Sequence, residues 1–242
     1  MRYGIFSDIH SNLEAFNEVI KAYKKESIDT YLCVGDAVGY GADPQDCIEK
    51  TKALASITVA GNHDWAAVDL FSTEYFNPLA AEAILWTKKK LSNSGSSFLG
   101  SLKLVYENQD LTLVHGTLDN PHDFNYLEDD YAAGQSFECL KTNICFVGHS
   151  HVAGAFVLDK NGEISYSRSG SIRIVPDKKY IVNVGSIGQP RDGNPKAAYC
   201  IYDTARAEVT IKRIDYDIDT ARNKIIKAGL PKFLGDRLLT GT

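Results

Sequence analysis

The stretch "YGIFSDIH" (Tyr3–His10) joins a short apolar run to two side chains of metal-ligand type. The run predicts a buried strand, and Asp8 and His10 follow it directly. The same arrangement recurs along the chain, where four further strand-like runs, "TYLCVG", "SITVAG", "LTLVHG" and "ICFVGH", end in similar residues. These are Asp36, then Asn62 with His63, then His115, and finally His149 with His151.

Helical patterns separate the first three of these runs. Residues 12–25 place apolar side chains on one helical face, and residues 43–54 form a second pattern with Asp43 as N-cap and Pro44 in the first turn. Pro78 opens a third. This β-α-β-α-β order predicts a parallel sheet covered by helices.

The second half of the chain has a strand-rich pattern. The polar segment "SNSGSS" (Ser92–Ser97) predicts a loop, and it precedes eight strand-like runs between residues 103 and 214. Residues 156–167 and 199–214 each predict a hairpin, the first around Asn161–Gly162. Residues 219–230 predict a C-terminal helix. We therefore expect one domain over residues 1–242.

Composition and charge exclude several classes of protein. The chain has 44% hydrophobic and 24% charged residues and a formal net charge of −5, which disfavours binding to long nucleic acid or anionic membrane. Five cysteines without a C-x-x-C pair indicate a reducing compartment, with Cys33 and Cys145 as buried apolar side chains. The sequence shows no signal-peptide pattern and no apolar run of about 18 residues. These features predict a cytoplasmic protein.

The polar residues at the strand ends are more informative together than singly. Each motif alone is typical of a turn or a helix cap. However, five of the six histidines lie at these ends, and only His122 does not. Ligands of open α/β sheets bind beyond the carboxyl ends of the strands, so neighbouring strands would bring these side chains into one crevice.

The donor types predict a transition-metal site. Mixed nitrogen and oxygen donors suit Mn, Fe, Ni, Co or Zn better than Ca or Mg. Seven candidates suit two metal ions that share one carboxylate. We expect Asp8-x-His10 and His149-x-His151 each to project both donors from one side of an extended segment. The candidate metal ligands are Asp8, His10, Asp36, Asn62, His115, His149 and His151.

Two such metal ions favour phosphoester hydrolysis, because they clamp the oxygens of an in-line displacement. A serine hydrolase is disfavoured, since Val152 stands where G-x-S-x-G around Ser150 requires glycine. No phosphate-binding glycine loop is present, which disfavours a nucleotide-binding protein. A catalytically silent scaffold that retains the metal ligands stays a third alternative.

In their order, the motifs "DIH", "GD", "GNHD", "HG" and "GHSH" resemble those of the calcineurin-like metallophosphoesterases. Residues 183–199 resemble a later segment of the small bacterial and archaeal phosphodiesterase branch. The resemblance implies an α/β fold, a four-layer α/β/β/α sandwich with mixed sheets and the site at one edge. It also implies a phosphodiesterase that cleaves small phosphoesters by in-line attack of a metal-bridging hydroxide, with Mn favoured in vitro. A dinucleoside polyphosphate hydrolase is an alternative within the same chemistry.

The resemblance also assigns roles to residues. His63 would be catalytic, facing the leaving oxygen as a proton donor or a stabiliser of charge. The first metal ion would be held by Asp8, His10, Asp36 and His151. The second would be held by Asp36, Asn62, His115 and His149, with Asp36 bridging.

The segment after Asp36 differs from that of one branch of the family, the protein Ser/Thr phosphatases. Protein Ser/Thr phosphatases carry G-D-x-x-D-R, in which the second Asp orients the catalytic His and the Arg binds phosphate. Gly39 and Tyr40 stand at those two positions here, which favours a phosphodiesterase. What orients His63 stays open, with Asp64 as one candidate. Tyr40 and Arg191 are candidate substrate-binding residues, although Arg191 is equally typical of a surface turn. The oligomeric state is also left open.

Overall fold

Two six-stranded sheets form the centre of the computed structural model, which describes all residues, 1–242. The first sheet has the order β3-β2-β1-β11-β12-β9 and the second β4-β5-β6-β10-β7-β8. The strands are β1 Arg2–Phe6, β2 Thr30–Cys33, β3 Ile57–Thr58, β4 Val105–Glu107, β5 Thr112–Val114, β6 Ile144–Val147, β7 Gly154–Leu158, β8 Ile164–Ser167, β9 Ser171–Arg173, β10 Lys179–Asn183, β11 Ala197–Asp203 and β12 Glu208–Ile214.

Eight α-helices accompany the sheets, with short 3-10 turns at Thr73–Tyr75, Pro121–Asp123 and Arg237–Leu239. None of the helices has the length and apolar character that a membrane crossing requires. The helices are α1 Leu13–Tyr23, α2 Pro44–Leu54, α3 Asn62–Ala66, α4 Pro78–Lys88, α5 Asn93–Ser101, α6 Asp130–Cys139, α7 Ile218–Lys227 and α8 Lys232–Asp236.

Alternation of side chains along the strands produces three apolar layers. Ile5 and Leu113 lie in the layer between the two sheets, together with the fully buried Phe146. On the other face of β1, Phe6 packs against Phe16 of α1. Helix α6 covers the outer face of the second sheet. The layers therefore follow the order α/β/β/α, which confirms the fold class.

The sheets are mixed, and their parallel parts set the position of the site. β1, β2 and β3 are parallel, as the β-α-β pattern predicts, but β11 pairs with β1 in the antiparallel direction. In the second sheet β5, β6 and β10 are parallel. The five strand ends that carry the candidate ligands therefore come from both sheets, three from the first and two from the second.

The helix α5 corrects one sequence-based expectation. Residues 92–97 were predicted as a loop, but most of them form the first part of this helix. Ser92 is its N-cap and accepts a hydrogen bond from the Gly95 amide. Leu99 is fully buried beside Ile48 of α2, so tertiary packing overrides the low helix propensity of serine and glycine.

Other predicted elements have smaller differences from the structure. Both hairpins and the C-terminal helix are confirmed. Strand β9 and helix α6 were not predicted. Asp43 precedes α2 as expected, but its carboxylate makes no cap hydrogen bond and instead accepts one from Lys224 Nζ at 2.9 Å. No cysteine is paired, and Cys33 and Cys145 are buried as predicted.

Candidate metal centre

The ligand loops have an uncommon backbone conformation. Asp8, His10, Asp36, His149 and His151 all have positive φ, between 47° and 68°. Side chains other than glycine adopt this left-handed region rarely, and such residues concentrate at functional sites. The expectation of extended D-x-H and H-x-H segments is therefore wrong. The left-handed turns also direct His149 and His151 into different groups of ligand atoms.

The first group of ligand atoms consists of Asp8, His10 and His151. His151 Nε2 lies 3.2 Å from Asp8 Oδ1, and His10 Nε2 lies 3.6 Å from the same oxygen. The two Nε2 atoms are 3.0 Å apart. All three side chains are buried. Three ligand atoms thus converge on one point without solvent.

Hydrogen bonds to Nδ1 of His10 and of His151 determine the tautomer of each ring, and thus whether Nε2 can bind a metal ion. His10 Nδ1 lies 3.0 Å from the Val38 carbonyl oxygen, and His151 Nδ1 lies 2.5 Å from that of Gln189. A carbonyl only accepts, so each Nδ1 carries a proton, and in the ligand form of each ring the lone pair therefore lies on Nε2. Two lone pairs and a carboxylate facing one another repel. A cation between them removes that repulsion.

The second group consists of Asp36, His115 and His149. His115 Nδ1 donates to the Val34 carbonyl oxygen at 2.7 Å, which leaves Nε2 only 3.2 Å from Asp36 Oδ2. The Asn62 Oδ1 atom is buried and has no hydrogen-bond partner. The same is true of His115 Nε2. A buried polar atom without a partner is rare in native proteins, so Asn62 Oδ1 fits the role of a cation ligand, and His115 Nε2 fits it once the ring has lost the proton that faces Asp36.

Asp36 connects the two groups. Its Oδ2 atom lies 3.5 Å from His10 Nε2 and 3.2 Å from His115 Nε2. Its Oδ1 atom accepts the backbone amide of His63 at 2.9 Å. The structure therefore brings six of the seven sequence-predicted ligands into these two groups, with the Asp36 carboxylate between them, and Asn62 lines the adjoining cavity. A third group of ligand atoms consists of His10, Asp36 and His63, a residue that was not predicted as a ligand.

The protonation of the metal-free cluster follows from burial and charge. Burial opposes a charge on His115, but the Asp36 carboxylate outweighs it and raises the pKa of His115 to about 10. Burial lowers the pKa of His149 to about 3. Burial, aided by the charge of Arg191, lowers the pKa of His151 to about 3. Both of these rings are thus neutral and can act as ligands at neutral pH, whereas His115 must first lose a proton.

Asp64 has a structural role, and the structure shows no contact between it and the His63 ring. Its Oδ2 atom accepts the amides of Asp36 and Gly61 at 2.8 and 3.1 Å. Its Oδ1 atom accepts those of Ala37 and Val38 at 2.9 and 3.3 Å. The carboxylate thereby caps α3, which begins at Asn62, and holds the Asp36 loop against it.

The His63 side chain is held by packing. Its ring lies 4.8 Å from that of His10, 4.5 Å from that of Tyr40 and 4.8 Å from that of Phe76, between ring centroids. Its buried Nδ1 atom has no hydrogen-bond partner. A Cβ atom at Gly39 would lie 2.4 Å from that Nδ1. Burial lowers the pKa of His63 well below its usual value.

The chain matches the calcineurin-like phosphoesterase superfamily domain over residues 1–207. It belongs to this superfamily. A crystal structure of a metallophosphoesterase from Sphaerobacter thermophilus is similar, with a TM-score of 0.88 and 36% identity, covering 100% of this chain and 99% of that one. An uncharacterised protein of Methanocaldococcus jannaschii is 42% identical over 98% of this chain and 97% of its own length. A hypothetical protein from Pyrococcus horikoshii shares the fold, with a TM-score of 0.79 at 18% identity, covering 100% and 98%.

A cavity of about 120 Å³ opens beside the centre of this metallophosphoesterase-family protein. Its polar wall consists of Asn62, His63, Asn77, Asp123 and His149. Tyr126 stacks on the His149 ring with centroids 4.1 Å apart. The cavity therefore gives a small molecule access to the metal centre. Its aromatic wall consists of Tyr40, Phe71, Tyr75, Phe76, Phe124 and Tyr126.

Three residues that support the ligands were not predicted. Ser186 Oγ donates to the Asp8 carbonyl oxygen at 2.8 Å and accepts the Gln189 amide at 2.8 Å. Asn183 Nδ2 donates to the Gly148 carbonyl oxygen at 2.6 Å. Asn183 could have been found from the sequence, because it is a polar residue at the end of a strand, as the candidate ligands are.

His122, the one histidine that does not follow a strand, lies outside the clusters and has 69% of its side chain exposed.

Proposed function

We propose that the protein is a cytoplasmic phosphodiesterase that uses two divalent metal ions to hydrolyse small phosphoesters. Membership of the superfamily and the ligand clusters support a metal-dependent phosphoesterase. The observation that carries the proposal is the pair of acceptor clusters sharing Asp36. Such an arrangement suits two ions bridged by one carboxylate.

The donor set fits the proposed ions. One ion would be held by Asp8, His10, Asp36 and His151, and the other by Asp36, Asn62, His115 and His149. Bound metal ions would activate water and neutralise charge on the phosphoryl oxygens. With imidazole, carboxylate and amide donors and no thiolate, the site suits Mn, Fe, Co, Ni or Zn, and we propose Mn for activity in vitro.

His63 would act on the leaving group. Its backbone amide is tied to Asp36 at 2.9 Å, and its ring borders the cavity. Because burial keeps the ring neutral, it would stabilise charge on the leaving oxygen by donating an N–H hydrogen bond. This favours the second of the two roles that the sequence left open for His63.

The preference for diesters is supported by what the site lacks. Gly39 and Tyr40 stand where Ser/Thr phosphatases place an aspartate and a phosphate-binding arginine. A monoester dianion would therefore lack that cation, whereas a diester carries only one negative charge.

The proposed function is tested with purified protein and added Mn²⁺. We expect hydrolysis of bis-p-nitrophenyl phosphate at a higher kcat/KM than p-nitrophenyl phosphate, abolished by EDTA and by Asp36→Asn. Activity that survives removal of metal would refute the mechanism. Faster cleavage of the monoester would refute the diester preference. If metal-loaded protein cleaves no phosphoester in a broad panel, the silent-scaffold alternative replaces the proposal.

A pair of histidine variants separates catalysis from metal binding. His63→Ala should retain both metal ions and lose kcat by a factor of roughly 10² or more, as expected for a lost transition-state donor. His149→Ala should lose a metal ion. The exposed His122→Ala is the matched control and should match wild type in metal content and kcat. Loss of metal from His63→Ala would show that His63 is a ligand.

A further inference from the structure

Two half-buried arginines, Arg191 and Arg237, lie together without an Asp or Glu partner, and Arg237 Nε donates to the Thr242 backbone oxygen at 2.6 Å. Gln189 Oε1 accepts hydrogen bonds from Arg191 Nη2 at 2.8 Å and from Arg237 Nη1 at 3.0 Å. Neither arginine forms an ion pair, whereas Arg2, Arg206, Arg213 and Arg222 all do. The remaining two arginines, Arg168 and Arg173, are exposed to solvent.

This arrangement is electrostatically unfavourable as it stands. Sharing one acceptor keeps the two guanidinium nitrogens within about 6 Å, where like charges repel. Burial and the charge of Arg191 lower the pKa of Arg237 to about 10. In addition, Arg191 Nε is buried and has no hydrogen-bond partner. Paired cations that lack a counter-ion are stabilised by an anion bound between them.

The pair borders the metal centre. Arg191 Nη2 donates to the Tyr40 hydroxyl oxygen at 3.2 Å, and the Tyr40 ring lies 4.5 Å from that of His63. The backbone oxygen of Gln189 accepts the Nδ1 hydrogen of His151. Tyr40 therefore separates Arg191 from the His63 ring, and Arg237 lies on the far side of the shared Gln189 side chain.

We propose that Arg191 and Arg237 together bind a second anionic group of the substrate, a phosphoryl group that is not cleaved. The inference rests on the phosphoesterase function proposed above. Guanidinium groups pair with phosphate oxygens through two parallel hydrogen bonds, and two of them match the charge of a terminal phosphoryl group. The substrate class is thus a phosphoester that carries a further phosphoryl group, such as a nucleotide phosphorylated at two positions.

Anion binding to the metal-free protein tests the arginine pair without catalysis. Sulfate serves as the tetrahedral dianion and is titrated at constant ionic strength while the unfolding temperature is recorded. We expect sulfate to stabilise wild type and the exposed-arginine control Arg173→Gln alike, and to bind the double variant Arg191→Gln/Arg237→Gln at least tenfold more weakly. No binding to wild type, or equal binding to the double variant, overturns the proposal.

Kinetics of the Mn²⁺-loaded enzyme test the same pair with substrate. The probes are thymidine 5′-(4-nitrophenyl phosphate) with and without a 3′-phosphate. Arg237→Gln should raise KM for the 3′-phosphorylated diester roughly 10–100-fold more than for the other, as expected for loss of a charge-assisted contact. An equal effect on both diesters counts against the proposal. If wild type cleaves neither diester, the phosphoesterase function fails, while the sulfate titration still decides the role of the arginines.

Discussion

Replacement of Asp64 by asparagine should destabilise the protein although it removes only a charge and preserves side-chain volume. The Asp64 carboxylate is fully buried and accepts two backbone amides on each oxygen. Asparagine keeps one oxygen and puts an NH₂ group in place of the other. In either orientation of the amide, two buried backbone N–H groups lose their acceptor and face a second donor.

The magnitude follows from those two groups. Each buried donor left without a partner costs about 1–3 kcal/mol, so the two groups together cost about 2–6 kcal/mol. The neutral amide recovers part of this, because burial disfavours the charged carboxylate, and the net loss in the free energy of unfolding should lie at the lower end of that range. One of the four amides belongs to Asp36 itself, and another belongs to Gly61, which precedes Asn62. Loss of these hydrogen bonds should therefore also shift the Asp36 carboxylate. We therefore expect weaker metal binding together with the loss of stability.

Urea unfolding of the metal-free protein measures the effect. Burial and the Asp36 carboxylate raise the pKa of Asp64 to about 7. The experiment should therefore be run near pH 8, where the wild-type side chain is ionised. Asp177→Asn is the matched control, because Asp177 is exposed and should change stability by less than about 0.5 kcal/mol. A change equally small in Asp64→Asn would refute the assignment of Asp64 as the acceptor that holds the loop.

Three further predictions concern the centre and the core. Gly61→Ala should lose metal although it removes no ligand, because its Cβ would lie 2.0 Å from Asp36 Oδ1; full metal content after dialysis would contradict this. Phe146→Ala should lower the free energy of unfolding by about 3–5 kcal/mol, since its side chain fills the layer between the sheets, and a loss below about 1 kcal/mol in urea would contradict it. Metal binding near pH 8 should release one proton from His115, whose pKa is about 10, so metal affinity should rise about tenfold per pH unit below that value. Calorimetry in buffers of different ionisation enthalpy measures this release, and a proton count of zero would show that His115 is already neutral.

The clustering of the candidate ligands could be predicted because its signal is local in the sequence. Each ligand follows an apolar run, and the parallel strands bring those ends to one edge. Asp8 and His115 thus come together although they belong to different sheets. The order of motifs along the chain then indicated the superfamily and, with it, the mixed four-layer fold that the β-α-β pattern alone did not imply.

The remaining features depend on tertiary contacts that no local pattern contains. Helix α5 forms because Leu99 finds a buried place beside α2, while its serine and glycine content favours a loop. Arg237 is another example. It lies in the C-terminal segment, and only the packing of α7 and α8 brings it to Gln189 and Arg191. The left-handed turns at the ligands could not be predicted either, because aspartate and histidine, although enriched at positive φ, adopt negative φ at most positions.

The environment of His63 shows how one missing residue changes the chemistry expected at the site. A carboxylate bound to a histidine ring nitrogen raises its pKa and favours the imidazolium form. Here Gly39 occupies the position of that carboxylate, and even a Cβ atom there would collide with His63 Nδ1. Packing against Tyr40 and Phe76 orients the ring instead, and the same packing excludes water and keeps the ring neutral. A neutral ring can donate a hydrogen bond but holds no extra proton to transfer. In the proposed mechanism the leaving group would therefore depart as a stabilised anion, and esters of acidic alcohols, phenols or phosphates would be cleaved faster than those of simple alcohols.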